Sequence, residues 1–263
     1  MNKYLLVISG ELKRNLTYRG RVVIWVLVDL VQVIIFPFLW LAIYGERNAI
    51  AGLTRADIVT YYIVVFLISL LITSHAIFHV QEDIQKGNLN QIITKPLNYL
   101  LFAHIREFGY KICMVAVCVP LFIFLRLIFP EYLNLPSPAM LGWMILFLLY
   151  ARLISYSLQM IVGLGTFWLG ETKALSHIRF ILERTFSGEF APLSFFPLIL
   201  QTIAASLPFQ YLYFIPAQVY LGKVPPTDLV NHAIVGGLWV VVALVIINVM
   251  WWRGLKRYEG VGI

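Results

Sequence analysis

Residues 57–80, DIVTYYIVVFLISLLITSHAIFHV, decide the class of this protein. A transmembrane helix needs about 20 consecutive, mostly apolar residues to cross a hydrocarbon core roughly 30 Å thick. This stretch has that length and carries no charged side chain after Asp57. The composition agrees, because 60% of the residues are hydrophobic and 13% are charged, whereas about a quarter of the residues in soluble domains are charged. The sequence therefore predicts an all-α integral membrane protein with no appended soluble domain.

Apolar stretches on both sides extend this pattern into one transmembrane domain over residues 1–263. Hydropathy and length predict four further spans, at residues 22–44, 107–129, 140–169 and 233–252. Ahead of them, residues 1–21 place apolar side chains on one helical face, which is typical of a helix in the headgroup plane; these side chains are Leu5, Ile8, Leu12 and Leu16. This interfacial helix is either a simple anchor or also the contact for a cytoplasmic partner.

A sixth crossing lies between Gly170 and Asp228, where the sequence allows two arrangements. In one, the charged residues 172–188 cross the membrane with their charges facing protein or water, and the proline-broken residues 192–217 form a re-entrant segment. In the other, residues 172–188 lie in the cytoplasm and residues 192–217 cross. Irregular backbone at membrane depth must be satisfied by protein or water, so both arrangements carry a cost. Both give six crossings and place the termini on the same side.

The distribution of basic residues predicts the orientation. Lys and Arg concentrate in the N-terminal segment, in the connection of residues 81–111 and in the C-terminal tail, whereas the opposite side carries Arg47, Arg55 and Lys223. The positive-inside rule therefore places both termini in the cytoplasm. The net charge of +7 fits topology signals and anionic membrane lipids, and not nucleic acid, because the basic residues form no patch with interleaved aromatic residues.

A few polar side chains stand out inside the predicted spans. Asp29 and Gln32 lie one turn apart in the first span, where an unpaired carboxylate costs about 3 kcal/mol on insertion scales. We expect Asp29 to bond a neighbouring helix, with Arg152 as one partner, or to form a substrate or proton site. The fourth span carries a polar stripe at helical spacing, which suits either helix packing or a translocation surface; its members are Arg152, Ser155, Gln159 and Gly163.

The sequence shows no set of catalytic residues. His75 and His79 share a helical face with Glu82 and Asp83 one turn later, so three interpretations stay open: a metal site, a pH-sensitive group and a plain interfacial face. Residues 165–172 have glycines at phosphate-loop spacing, but Glu171 stands where such a loop needs a lysine. Cys113 and Cys118 are expected to be ordinary apolar residues. We therefore predict no enzyme activity, metal site or nucleotide site in this chain.

The most informative polar stretch is IQKGNLNQIITKPL, residues 84–97, which follows the second span. Breaks at Gly87 and Pro96 bound a short amphipathic segment with Leu89, Ile92 and Ile93 as its apolar edge. Such a segment is either an ordinary loop or a short helix that docks into the groove of a partner.

This stretch resembles the I-x-x-G-x-L-x-x-x-L/I-x-x-P signature of type 2 permeases of ATP-binding-cassette exporters. The resemblance covers nearly the whole chain through motifs that are each weak alone: Phe167-Trp168, the stretch from Ser187 to Pro197, Leu207-Pro208-Phe209, Pro216, Leu221-Gly222, and the C-terminal stretch from Trp252 to Gly262. It implies a coupling region at residues 81–106 that seats in an ATPase subunit, with the contact residues Ile84, Gly87, Asn88, Leu89, Ile92, Lys95 and Pro96.

The resemblance also implies the rest of the assembly. Residues 172–188 would be the fifth span, and the re-entrant segment would contain Gly188, Pro192, Pro197 and Pro208. Partners would be cytoplasmic ATP-binding-cassette ATPases, which hold ATP and Mg, a second identical or homologous permease, and membrane lipids, with the complex acting as an exporter in the plasma (bacterial inner) membrane. The rival hypotheses are a proton-coupled transporter that uses Asp29 and the histidines, and an intramembrane enzyme that uses His75, His79 and Glu82.

Overall fold

The computed structural model describes residues 3–17, 19–133 and 135–258, and within α2 it leaves out several side chains, Asp29 and Gln32 among them. The described chain is helical apart from one hairpin, which confirms the predicted all-α membrane class. Its helices in the first half are α1 Lys3–Thr17, α2 Arg19–Tyr44, α3 Arg55–Ile72, α4 Ala76–Gln85, α5 Asn88–Ile93, α6 Tyr99–Arg106 and α7 Phe108–Ile128. Those in the second half are α8 Pro138–Leu164, α9 Thr166–Leu169, α10 Lys173–Phe186, α11 Leu198–Ala205, α12 Phe214–Tyr220 and α13 Pro226–Leu255.

Four helical stretches in the described part of the chain are long and apolar enough to cross a membrane. They are Arg55–Gln85, Tyr99–Ile128, Pro138–Leu169 and Pro226–Leu255. The pair Leu198–Ala205 and Pro208–Tyr220, bent by 78°, is either one broken span or a re-entrant loop. The helix α2, predicted at residues 22–44, is 26 residues long, and Ile34–Tyr44 is an apolar stretch of it in which every side chain is described. The count of six crossings therefore stays a prediction.

The observed helices are longer than the predicted spans at several ends. The predicted second span continues to Gln85, and helix α6 precedes the predicted third span. Helix α13 begins at Pro226, ahead of the predicted start at residue 233, because Pro225 and Pro226 form its first turn, where a missing N–H costs nothing. The helices are longer than predicted because polar residues continue them beyond the apolar stretches that hydropathy detects.

A short hairpin leads into α3. The strands β1 Ala49–Ile50 and β2 Leu53–Thr54 pair antiparallel around a turn in which Ala51 and Gly52 have positive φ. Thr54 and Asp57 then form a capping box at the N-terminus of α3. Lys223, from the loop before α13, bonds the Asp57 carboxylate at 2.9 Å. This contact fixes the start of α3 against the start of α13.

Buried side chains form two separate cores. The first core surrounds α3, which buries most of its length between α2, α7, α8 and α12. The second core joins α4 and α5 to α6, α8 and α13; its members include Val80, Leu89, Tyr99, Met160 and Trp251. The boundary between the cores falls at Thr73–His75, where α3 ends and α4 begins.

Helix α1 packs directly on the domain. Glu11 and Leu12 lie so close to α7 that a Cβ added at Gly109 would come within 2.6 Å of the Glu11 side chain. Of the predicted apolar face, Leu5 and Leu16 are exposed, whereas Ile8 and Leu12 are half-buried. The helix ends at Thr17, earlier than the predicted residue 21. The placement of α1 at a membrane interface stays a prediction. Its contact with α6 and α7 was not predicted from the sequence.

Helix α10, at the predicted fifth span, has 14 residues, of which Lys173, Arg179, Glu183 and Arg184 are charged. At 1.5 Å per residue it is about 21 Å long, which is less than a hydrocarbon core of roughly 30 Å. Its two ends nevertheless lie beside opposite ends of α3 and α4. Gln81 donates a hydrogen bond to Thr172 at one end, and the Tyr61 hydroxyl donates to the Gly188 carbonyl at the other, over 2.6 Å.

Candidate functional site

The predicted coupling stretch contains the end of one helix, a tight turn and a second short helix, and it adjoins the second core. Helix α4 ends at Gln85, Gly87 has a φ of 72°, and α5 follows from Asn88 to Ile93. A residue with a Cβ is strained at such a left-handed φ, which explains the glycine of the motif. The structure therefore gives the predicted short helix the bounds Asn88–Ile93.

The apolar residues of this stretch have different roles. Ile84 and Leu89 are buried in the second core, and Leu89 has no exposed surface. Ile92 is half-buried against the same core. Ile93 is 42% exposed, and Lys95 and Pro96 are also exposed. Leu89 and Ile92 therefore attach α5 to its own domain, and the contact of this segment with a partner stays a prediction.

A polar cluster ties this stretch to its surroundings. Asp83 accepts a hydrogen bond from the Tyr99 hydroxyl at 3.0 Å and pairs with Arg106 at 3.3 Å. Arg106 also pairs with Glu11 of α1 at 3.3 Å, and the Lys3 ammonium donates to the Pro96 carbonyl. The sequence reading missed the roles of Tyr99, Arg106 and Glu11, since each partner lies on a different helix.

The break between α3 and α4 is held by Glu107, which precedes α7, and by two side chains of α8. We call these residues and the break itself the junction: Ser74, His75, Glu107, Arg152 and Gln159. The Glu107 carboxylate accepts from the Ser74 hydroxyl at 2.8 Å, from the His75 N–H at 2.6 Å and from Arg152 at 2.5 Å. The Gln159 amide donates to the Ser74 carbonyl. A helix break frees backbone groups that must find partners away from water. The junction supplies those partners.

The junction gives Arg152 a partner that the sequence did not suggest. Its guanidinium pairs with Glu107, which is 4% exposed. Sequence reasoning missed Glu107 because it stands at the edge of the predicted third span. The side chains of Asp29 and Gln32 lie outside the described residues, so the predicted site around them stays a prediction.

A polar cavity of about 190 Å³ lies between α2, α3, α7, α8 and α10. Ser155 and Gln159 of the predicted stripe line it, together with His75 at the helix break. From α10 and the loop after it come Arg179, Glu183, Arg184 and Glu189. Three of the four charged side chains of the disputed segment, Arg179, Glu183 and Arg184, thus line this cavity, whereas Lys173 is exposed.

The predicted polar stripe therefore divides among three roles. Arg152 belongs to the junction, and Ser155 and Gln159 line the cavity. Gly163 packs against α4, where a Cβ would come within 3.0 Å of the Val80 side chain. Helical spacing placed these residues on one face, but each meets a different neighbour along α8.

Helix α10 separates charge from apolar surface. Arg179 pairs with Glu183, and Arg184 pairs with Glu189 at 3.1 Å. The exposed side chains of α10 are largely apolar, among them Leu175, Ile178, Ile181 and Leu182. A helix with this division lines a polar interior with one face and meets lipid or another protein with the other.

The segment after α10 folds back on itself. Gly188 has a φ of 87°, and a Cβ there would lie 2.6 Å from the Tyr61 hydroxyl oxygen and 2.8 Å from Phe214. The prolines divide the segment: Pro192 precedes a short 3₁₀ turn, Pro197 caps α11, and Pro208 begins a second 3₁₀ turn. This shape fits the predicted re-entrant segment at residues 192–217, although α12 extends it to Tyr220.

The predicted metal-ligand candidates do not converge. His75 packs edge-to-face on Tyr110, Glu82 pairs with Lys86, and Asp83 belongs to the cluster with Arg106. Within residues 3–17, 19–133 and 135–258, no three His, Cys, Asp or Glu side chains are arranged to hold a metal ion.

Comparisons with known proteins place this architecture in a family. No curated protein and no solved structure matches the chain. Residues 30–262 match the family described as ABC-2 family transporter protein. This range begins within α2 and includes all the later proposed spans. Since this match covers most of the chain, the protein belongs to the ABC-2 transporter family and is a membrane permease of that type.

Proposed function

We propose that this chain is the permease subunit of an ATP-binding-cassette exporter. Two permeases, identical or homologous, form the substrate pathway, and two separate ATPase subunits bind ATP and Mg²⁺. This chain supplies no catalytic residue to hydrolysis. Its task is to convert movement of the ATPases into alternating access of the pathway.

The observation that carries this proposal is the construction of residues 87–96. Leu89 is fully buried in the second core, whereas Ile93, Lys95 and Pro96 are exposed. A segment that transmits force must be attached firmly to its own domain and must present a free surface to its partner. Salt bridges from Arg106 to Asp83 and Glu11 strengthen the attachment. Residues 87–96 meet both requirements.

We further propose six crossings, with both termini in the cytoplasm of a bacterial cell and the protein in its inner membrane. Helix α10 is the fifth crossing in this arrangement. The contacts of Thr172 with Gln81 and of Gly188 with Tyr61 support it, since they place the ends of α10 beside opposite ends of α3–α4. Helices α11 and α12 then fill the remaining thickness of the outer leaflet as a re-entrant pair.

Coupling is tested with the Ile93→Asp variant. We expect it to lose copurification with the ATPase and the stimulation of ATP hydrolysis by the permease, because a carboxylate replaces an exposed apolar contact. Its Tm should stay near that of the wild type. The matched control is Leu135→Asp, which changes another exposed aliphatic side chain of the same size, in the loop before α8. Transport by the purified chain in liposomes without any ATPase would refute the proposal and favour the proton-coupled transporter.

The fifth crossing is tested with single cysteines in a chain whose native cysteines are replaced. A membrane-impermeant thiol reagent should label Lys173→Cys from the cytoplasmic side and Phe190→Cys from the outer side, because both positions are exposed, the first at the start of α10 and the second after its end. Labelling of both positions from the cytoplasmic side would instead show that residues 192–217 cross.

A further inference from the structure

The last turn of α13 and the turn after it separate buried from exposed side chains. Trp251 and Gly254 are buried, and Trp251 belongs to the second core together with Leu89 of α5. The backbone stays helical beyond the last residue of α13, because Lys256 has right-handed helical angles and the Arg257 N–H bonds the Gly254 carbonyl at 3.0 Å. Four exposed side chains at positions i, i+1, i+4 and i+5 form what we call the basic face: Trp252, Arg253, Lys256 and Arg257.

The basic face carries an excess of positive charge. Within residues 3–17, 19–133 and 135–258, no carboxylate forms an ion pair with its three cations. The sequence after Trp252 contains one acidic residue, Glu259, so the cations outnumber acids wherever that side chain lies. The C-terminal end of a helix dipole is equivalent to about half a negative charge, which does not cancel the excess. An anionic partner is therefore favoured.

An exposed apolar stripe leads along α13 to the basic face. Its members recur at spacings of three and four residues: Ile234, Leu238, Val241, Val245 and Val249. Trp252 follows three residues later and is 66% exposed. Apolar side chains of a spanning helix suit hydrocarbon, an indole suits the level of the headgroups, and cations beyond it reach the headgroups. The order along this face matches the acyl chains, interface and headgroup of a lipid.

Two protein partners fit this face less well. A second copy of the permease that used the same face around a two-fold axis would bring the cations of both copies together, which is destabilising. The ATPase is expected near the coupling segment, whose Leu89 shares the second core with Trp251. The basic face lies on the side of α13 opposite Trp251, so it points away from that core.

We infer that the basic face of α13 binds the headgroup of an anionic membrane lipid. Arg253, Lys256 and Arg257 attract the headgroup, the Trp252 indole lies at the interface, and the acyl chains lie along the apolar stripe. The basic face contains none of the residues proposed to contact the ATPase. The inference therefore does not rest on the proposed coupling.

The test titrates lipid into the purified permease in a non-ionic detergent and follows the rise in Tm that a bound lipid causes. The probes are dioleoyl phosphatidylglycerol, which is anionic, and dioleoyl phosphatidylcholine, which is zwitterionic and has the same acyl chains. Each cation near an anionic surface contributes about a factor of five, so three cations should give phosphatidylglycerol a preference of about 100-fold. Added salt should reduce this preference, because exposed charges are screened.

A double variant and a matched control assign the site. Lys256→Gln with Arg257→Gln should weaken binding of phosphatidylglycerol about 25-fold and leave binding of phosphatidylcholine unchanged. The control, Lys13→Gln with Lys173→Gln, removes the same net charge from two exposed positions elsewhere. It should keep the lipid preference of the wild type. Without added lipid, both variants should unfold near the wild-type Tm, since the four positions are on the surface.

Three results would overturn the inference. One is equal binding of the two lipids by the wild type, which would show that the face does not select charge. Another is an equal loss in the Lys13 and Lys173 control, which would make the preference a property of net charge alone. The third is loss of ATPase copurification in the Lys256 and Arg257 variant while its lipid preference persists, which would make the basic face a protein contact.

Discussion

The junction and the cavity each contain an arginine paired with a glutamate, but the two pairs differ in how completely their hydrogen-bonding groups are used. At the junction, Glu107 accepts bonds from Arg152, Ser74 and the His75 amide. In the cavity, Glu183 has Arg179 as its ion-pair partner, and Arg179 Nε has no acceptor among the described residues. The Glu107 carboxylate is thus fully used by donors from three elements, whereas Arg179 keeps one N–H without an acceptor beside the cavity.

The largest expected effect separates the two glutamates. Glu107→Leu should destabilise the protein by about 3–5 kcal/mol, because it leaves the buried Arg152 charge unpaired. The same change at Glu183 should cost clearly less, since Arg179 borders a cavity that water can enter. The measurement is the Tm of each purified variant, with folding monitored by gel filtration. Equal losses of stability would mean that the cavity is as dry and as saturated as the junction.

A second comparison concerns the attached and the free side of the coupling segment. Leu89→Ala should cost about 2–5 kcal/mol through the hole it leaves in the second core. Ile93→Ala, at an exposed position of the same helix, should change stability by about 0.5 kcal/mol or less. Thermal unfolding of both variants tests this contrast. A large loss in Ile93→Ala alone would reverse the assignment of the two faces.

Chemical access provides a third contrast. Ser74 and Ser155 are equally buried, at 3% and 4% exposed, but Ser155 lines the cavity and Ser74 is bonded into the junction. A cysteine at Ser155 should react with a small water-soluble thiol reagent about 10-fold faster than one at Ser74, a difference of about 1.4 kcal/mol. The background has Cys113 and Cys118 replaced. Equal rates would show that the cavity excludes water.

The smallest effect is expected at the other end of α3. Lys223 pairs with Asp57 at 2.9 Å, but its side chain is 35% exposed. Lys223→Gln should therefore cost about 0–1 kcal/mol, and the cost should fall as salt is added. Arg152→Gln, which removes a buried partner of Glu107, is the matched variant and should cost several times more at every salt concentration. A salt-dependent loss at Arg152 would indicate that the junction is open to solvent.

Much of the fold follows from local sequence, as α3 and α13 illustrate. Both are long apolar stretches, and their helical starts are marked by Thr54–Asp57 and by Pro225–Pro226. The coupling stretch is also visible in sequence, because Gly87 and Pro96 interrupt a helical pattern. The direction of its side chains is not visible, since Leu89 and Ile93 are both apolar residues of the same short helix. Only the packing of α5 on α4 within the second core turns Leu89 inward.

Only the polar residues of the candidate site could be predicted from the sequence, and not how they pair. The sequence placed Ser155 and Gln159 in a polar stripe of an apolar span, and it left the charged residues Arg179 and Glu183 either inside the membrane or in the cytoplasm. It could not pair Arg152 with Glu107, because the two lie on different helices, 45 positions apart in the chain. Asp29 was an equally reasonable partner on composition alone.

The sequence by itself determined the membrane class, the long helices, the interrupted segment at residues 84–97 and the resemblance to a permease family, because apolar length and local breaks are properties of consecutive residues. The tertiary structure decided which buried charges are saturated and which border a cavity. It also decided that α10, too short and too polar for a span by composition, reaches between opposite ends of α3 and α4. These outcomes depend on distances between helices that are far apart in the chain, and no local pattern encodes them.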